Sequence, residues 1–405
     1  ELGGFRFVAS SPWEDFCNTR EYFANRPCLG QRVPPANEYK WMTYREVQSE
    51  VLRFSSGLIR KFGLQRNAKV GLLGNAQPEW LICDLALMRC GVNTMCMKDP
   101  PKSCEFEIGI ECFDGRPLGI GKDATDGGTL LVRSVEPNSP IAAWNLANPK
   151  RAVNVGDRII EVNGVHGDPS LLDSELGKPG LLNVRVSQAP CELLVCSMTW
   201  LEHYVQCARN KDGPIPRFPM IIFSGGMPTD LVAEAWFFGL QVFSMNFISH
   251  FGKVAGLVPY IGIGGHHIYT TMYRSSLGES SQPVEVTLSL GALMMASNRV
   301  AKELPLSHTD IHFSYSSPAF FGERVVVHAV LAVGGAVGFY GGVRSPKVLE
   351  DIRELGPTFI VGTPSLLGAQ IQNVRALHES SLTRFRFGIQ RWALQNAQAE
   401  PGPRR

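Results

Sequence analysis

The chain has no cysteine after Cys207; its ten cysteines all fall between Cys17 and Cys207, and no two are spaced Cys-x-x-Cys. With no such pair and no cysteine–histidine cluster at zinc spacing, a structural metal is not expected. Cys83, Cys90, Cys191 and Cys196 stand at apolar positions, where small buried thiols need no bridges, so a reducing intracellular compartment is expected. Charge is sparse too, at 19% of residues with a net +2, which leaves no electrostatic footprint for nucleic acid. There is no Gly-x-Ser-x-Gly elbow, and Gly262-Ile-Gly-Gly is not followed by a helical pattern, so a dinucleotide fingerprint is weak. His266 and His267 are adjacent, which on a strand would point them to opposite faces, so a shared metal is not expected and a loop or edge position is favoured. Long apolar runs are also lacking, with one exception. Val325 to Val343 is nineteen residues with only His328 strongly polar. Glycines crowd its second half, so a short helix, a Gly-Gly turn and a buried strand (Ala336 to Tyr340) fit better than a transmembrane segment.

What is present is the composition of a globular protein, 44% hydrophobic over 405 residues, enough for two or three domains. Residues 12–98 read as a helix-rich α/β unit. Thr43 and Glu46 form a capping box, and Val47, Val51, Phe54, Leu58 and Ile59 keep one apolar face up to Gly63. Asn67 to Gly74 reads as a buried strand, and Pro78 opens the next helix. In order and spacing, "WMTYREV", "GLIRKFGL" and "VGLLGNAQPEWLICDLALMRCGV" resemble the long-chain acyl-CoA synthetases of the adenylate-forming family. The resemblance resumes near Pro190 with "CELLVCSMTWLEHYVQCAR", "RFPMIIFSGG" and "FFGLQVFSMNFISHFGKV".

Between these stretches the character changes. Phe106 to Cys112, Thr129 to Val135 and Leu181 to Val186 read as strands, with short helices after Pro137 and near Ser170 to Leu176. Gly156-Asp-Arg-Ile-Ile-Glu-Val-Asn-Gly164, with a Leu-Gly-Ile-Gly loop some forty residues upstream, resembles a PDZ domain. That resemblance implies a groove for a partner's C-terminal peptide. Leu118, Gly119, Ile120 and Gly121 would form its carboxylate loop and edge strand, with Leu171, Leu172 and Leu176 as candidates for its helical wall.

Residues 272–291 resemble the family's phosphate loop, which lies between a β-like run (His267 to Tyr273) and a helical one (Ala292 to Val300). Strand, small-residue loop and helix would offer backbone N–H groups to phosphate oxygens. Ser276, Gly278, Ser280, Ser281 and Pro283 fit such a loop. Val284 stands where the family has lysine, Glu285 replaces a glycine, and Leu290 replaces a histidine. A lysine would hold polyphosphate as a point charge, and valine cannot. Further on, Ser316 to Phe320 ends in phenylalanine where the family has histidine, while Glu323-Arg324 matches.

The expected architecture is α/β, the incomplete N-terminal large domain of an adenylate-forming enzyme interrupted by a small β-rich PDZ domain. The expected division is 1–100 and 190–395 for the synthetase-like parts, 104–189 for the insert and 396–405 for a frayed tail. The family's Tyr-Gly-x-Thr-Glu and Thr-Gly-Asp motifs and its catalytic lysine do not occur. The expectation is therefore a non-catalytic structural or interaction subunit of a larger assembly, with no catalytic or metal-binding residue and no cofactor. Its partners would be proteins, and it would sit peripheral to a membrane complex without spanning the membrane. The first residue is Glu1, which suggests a removed leader or a fragment and favours a chloroplast or mitochondrion. The alternatives are a fragment of a long-chain fatty acid–CoA ligase, which would use ATP, Mg²⁺ and CoA, and a lipid or pigment carrier.

Overall fold

A computed structural model of the chain describes residues 11–32, 38–97, 104–112, 117–124, 128–188, 191–210, 218–223, 226–274, 284–341 and 348–362. Helix α1 (Pro12–Phe23) starts where the Ser11 hydroxyl accepts from Glu14 N–H, and it turns Trp13 and Phe16 inward. Strands β1 (Pro27–Arg32) and β2 (Tyr39–Thr43) pair antiparallel. Helix α2 (Tyr44–Phe62) begins on the expected capping box between Thr43 and Glu46 and stops at Gly63, at φ 59°. Strand β3 (Lys69–Leu73), helix α3 (Pro78–Cys90) and strand β4 (Asn93–Met97) follow. Helix α3 is buried almost all round, because it lies between two sheets.

The next unit has its own sheet and its own core. It comprises β5 (Cys104–Cys112), β6 (Ile120–Asp123), β7 (Leu130–Val135), α4 (Pro140–Ala147), β8 (Arg158–Val162), β9 (Val165–His166), α5 (Pro169–Leu176) and β10 (Gly180–Gln188). The strands are antiparallel in the order β5-β10-β8-β7-β6, with β9 added on β8. Ile108, Val132, Ile159, Leu172 and Val184 are among the side chains that fill its interior. Its first and last strands are neighbours, with Cys104 opposite Gln188.

The main unit then resumes with β11 (Leu193–Cys196), α6 (Met198–Asn210), β12 (Met220–Ile222), α7 (Thr229–Phe237), β13 (Val242–Ser244) and α8 (Met245–Val254). Next come β14 (Ile268–Arg274), β15 (Val284–Ser289), α9 (Leu290–Glu303), β16 (Ile311–Ser314), α10 (Phe321–Ala332), β17 (Ala336–Phe339) and α11 (Val348–Leu355). A seven-stranded sheet runs β13-β12-β11-β3-β4-β14-β15, parallel except for the β14–β15 hairpin. A four-stranded sheet runs β16-β17-β1-β2. Helices α2 and α8 approach closely, since a Cβ on Gly57 would lie 2.1 Å from Ile248 O and one on Gly252 2.0 Å from Arg53 O. The apolar run near residue 330 is the expected helix (α10), glycine turn and buried strand (β17). No helix among the described residues is long and apolar enough to cross a membrane.

Candidate functional site

Three places could carry function: the β14–β15 hairpin, the strand edge of the β-rich unit, and a buried polar centre behind α3. At the hairpin, Ser276, Gly278, Ser280, Ser281 and Pro283 lie outside the described residues. Val284 opens β15 opposite Arg274. Six strand residues, on the order of 20 Å at the usual rise, separate that end from helix α9. The helix therefore does not follow the loop directly, contrary to the simple strand–loop–helix expectation. Its first amides are already used: Leu290 N–H bonds His267 O at 3.0 Å, Gly291 N–H bonds Gly265 O at 2.7 Å, and Ala292 N–H bonds Ser289 Oγ at 3.2 Å. Leu290, at the family's histidine position, is fully buried.

In the β-rich unit, β6 pairs only with β7 among the described strands, which leaves one edge for strand addition. Gly119, at φ 80°, lets the loop pass against Ser139, where a Cβ would stand 2.0 Å from the serine Cβ. Leu118 O and Gly119 O accept from Ile141 N–H and Glu136 N–H, at 3.3 and 2.8 Å. The side chains of Leu118 and Ile120 enter the core, and Gly121 pairs with Ser134. Leu172 and Leu176, one helical turn apart, also face the core, so Leu172 is not a groove wall, while Leu171 is 54% exposed. The contact across from β6 to α5 is instead an ion pair between Lys122 and Asp173. Opposite charges far apart in sequence gave no signal that could have found it.

Arginines clamp this unit to the main one. Arg133 on β7 donates to Asp123 Oδ2 at 2.7 Å, to Glu192 Oε2 at 2.6 Å and to Phe62 O at 3.3 Å. Arg158 reaches Glu192 O at 3.1 Å and Thr129 Oγ1 at 3.0 Å. Beside them burial pushes the Asp157 carboxyl up to about 6, against the pull of hydrogen bonds from Asn154 N–H and Gln188 Nε2.

The third place grows from Glu323-Arg324 at the start of α10. Arg324 Nη2 donates to Asp84 Oδ1 at 2.9 Å, and the Tyr269 hydroxyl donates to Asp84 Oδ2 at 2.5 Å. The guanidinium stacks 4.2 Å from the Tyr269 ring centre and 5.6 Å from that of Trp80. Glu323 Oε1 lies 2.9 Å from His312 Nε2, and the imidazole stacks on Phe359 at 5.0 Å. Asp84, Tyr269, His312, Glu323 and Arg324 are all buried, so the cluster holds two sheets and α3 together. Burial also raises the Cys90 and Cys191 thiols to about 12 and Cys96 to about 11, which keeps them un-nucleophilic. Among the described residues no three His, Cys, Asp or Glu side chains could hold a metal ion.

Residues 18–100 match the family described as AMP-binding enzyme. Long chain acyl-CoA synthetase 1 of Arabidopsis thaliana is 33% identical over 390 residues, 93% of this chain and 46% of that protein. Long-chain-fatty-acid–CoA ligase 6 of Rattus norvegicus is 24% identical over 380 residues, 93% of this chain and 42% of that protein. The chain thus spans less than half the length of these curated relatives. Among solved structures, the adenylation domain of a carboxylate reductase from Mycobacterium chelonae superposes with a TM-score of 0.58 at 14% identity, covering 94% of this chain and 49% of that one. A long-chain-fatty-acid-CoA ligase from Archaeoglobus fulgidus gives 0.55 at 13% identity, covering 92% of this chain and 55% of the other. The two agree with the α/β large-domain architecture, and the sequence comparisons lead to one assignment: residues 18–100 match the AMP-binding family, and the chain is related over 93% of its length to the long-chain acyl-CoA synthetases.

Proposed function

We propose that this chain is the N-terminal part of a long-chain fatty acid–CoA ligase, a protein that activates a fatty carboxylate with ATP and passes it to CoA. The observation that carries this reading is the 33% identity to a plant long chain acyl-CoA synthetase across 93% of the chain. The described residues supply scaffold. The first amides of α9 are spent on protein acceptors, so that helix end does not fit a nucleotide phosphate, and no catalytic step is assigned to it. The test is pyrophosphate release and acyl-CoA formation by the complete gene product with palmitate or oleate, ATP, Mg²⁺ and CoA. Turnover that requires all of these supports the ligase reading, and its absence, with no ATP binding, removes it.

A second reading, a non-catalytic interaction subunit, is favoured by one specific feature. Valine stands where the family places a phosphate-binding lysine, while the inserted unit presents the β6 edge beside α5. In this reading the insert is a PDZ domain that adds a partner's C-terminal strand to β6. Binding of a C-terminal peptide, lost when its carboxylate is amidated, combined with no ATP binding would put this reading first.

A further inference from the structure

Helices α1, α9 and α10 meet around a small polar slot. Asp15 and Phe16 of α1, Ser297 and Asn298 of α9, and His328 and Leu331 of α10 are among its walls. It admits about one water-sized molecule. Asn298 is exposed, so the slot reaches solvent on that side, while Ser297 and His328 are buried. The walls are pinned close by, where Thr19 Oγ1 on α1 donates to Ala332 O at the end of α10, at 3.1 Å.

Two polar groups of the slot are more than nine-tenths buried and unbonded. Ser297 is 5% and His328 6% exposed, and neither Ser297 Oγ nor His328 Nε2 has a hydrogen-bond partner. Folding took both from water, and a buried polar atom that replaces none of its bonds destabilises the fold. Asp84 does not supply the missing bond. Its Oδ2 stands 3.7 Å from His328 Nε2, beyond hydrogen-bond reach, and already accepts from the Tyr269 hydroxyl. That carboxylate still fixes what His328 offers: next to a negative oxygen, Nε2 carries its hydrogen and stands as a donor.

Asp15 adds an acceptor from α1. Burial pushes its carboxyl up, and His328 pulls it back part of the way. As a carboxylate it can only accept. Together the three groups sort the possible occupants. A metal or ammonium ion would meet the His328 N–H, which has no lone pair to give, and an anion would meet the Asp15 carboxylate. A hydroxyl group suits both, because it accepts through its oxygen and donates through its hydrogen. The Ser297 hydroxyl can turn to bond it either way.

We propose that this slot binds one small hydroxyl compound, water or a short alcohol, which accepts from His328 Nε2 and donates to Asp15 while bonded to Ser297 Oγ. The site stands apart from both readings of the chain's function. The experiment is nuclear magnetic resonance of the full chain carrying isotope-labelled histidine, with His328→Gln identifying the His328 signals. Magnetisation transfer from water to the His328 ring, in buffer alone, is the result expected for a water occupant. A saturable shift of the same signals as methanol is added, absent from the other histidines, identifies an alcohol as a second source. Neither transfer nor shift overturns the proposal. Melting curves give an independent test of sign. Ser297→Ala should lower the midpoint by about 2 °C, because an occupied site loses a bond. A rise or no change shows that the hydroxyl was unpaired in a dry slot, and overturns the proposal. Should that variant fail to fold, the transfer experiment on the parent decides. A parent midpoint that ammonium chloride raises and sodium chloride does not also overturns it, since the occupant is then a cation.

Discussion

Asp84 and Arg324 stand 240 residues apart in sequence and 2.9 Å apart in space, with side chains 0% and 1% exposed. Helix α3 brings the carboxylate and α10 the guanidinium, so the ion pair locks the seven-stranded sheet to the four-stranded one. Arg324→Leu leaves the Asp84 carboxylate buried, with the Tyr269 hydroxyl still bonded to it and His328 Nε2 3.7 Å away. The expected loss is about 3–5 kcal/mol, the usual cost of leaving one charge of a buried pair uncompensated. Equilibrium urea denaturation checks it.

Gly57→Ala and Gly252→Ala push a methyl into backbone atoms of the facing helix, at 2.1 and 2.0 Å. Either helix can escape only by moving away from the other. Each substitution should cost about 1–3 kcal/mol, as overpacking does, and the pair should be less than additive, because one separation relieves both clashes. Melting curves of the two single variants and the double variant decide this.

Arg133 and Glu192 join the β-rich unit to β11 at 2.6 Å, with 17% and 12% side-chain exposure. A double-mutant cycle with Arg133→Ala and Glu192→Gln should give a coupling of about 0.5–3 kcal/mol. Hydrogen exchange should quicken in β7 and at the start of β11 while the centre of α3 stays protected.

Asp157 titrates at about 6 in the folded protein, against 3.8 for a free aspartate. The folded state therefore keeps a proton that the unfolded chain has released. This contribution to stability is full below roughly pH 4 and is lost as pH rises through about 6. Asp157→Asn keeps an acceptor for Asn154 N–H and removes the titration. Its stability should be flatter than that of the parent between pH 4 and 6.5, as followed by denaturation at several pH values.

Local signals were legible in the sequence. The Thr43–Glu46 box, the Gly63 stop and Pro78 at the head of α3 depend on neighbours within one turn, and all three stand as read. Tyr39 to Met42 form strand β2, which the strong cap just after them masked. Leu171 and Leu172 could not be told apart, because one residue's shift in helix phase exchanges core for solvent. Glu323-Arg324 was noticed as a motif. That it closes on Asp84 and His312 required the fold, since helices bring together residues that share no sequence window.

Strand β4 ends at Met97, which lies beside Leu73, while β11 begins at Leu193, beside Val70. The chain thus leaves the parallel sheet at one end and returns at the other. Parallel neighbours need a crossover of a dozen or more residues, usually a helix. Here the whole β-rich unit lies on that return path. It cannot be trimmed away like an appendage on a surface loop, because joining β4 directly to β11 would deny the sheet its parallel order. A shortened protein would need a substitute crossover helix in its place, and any force or partner acting on β6 acts on the main sheet's own wiring.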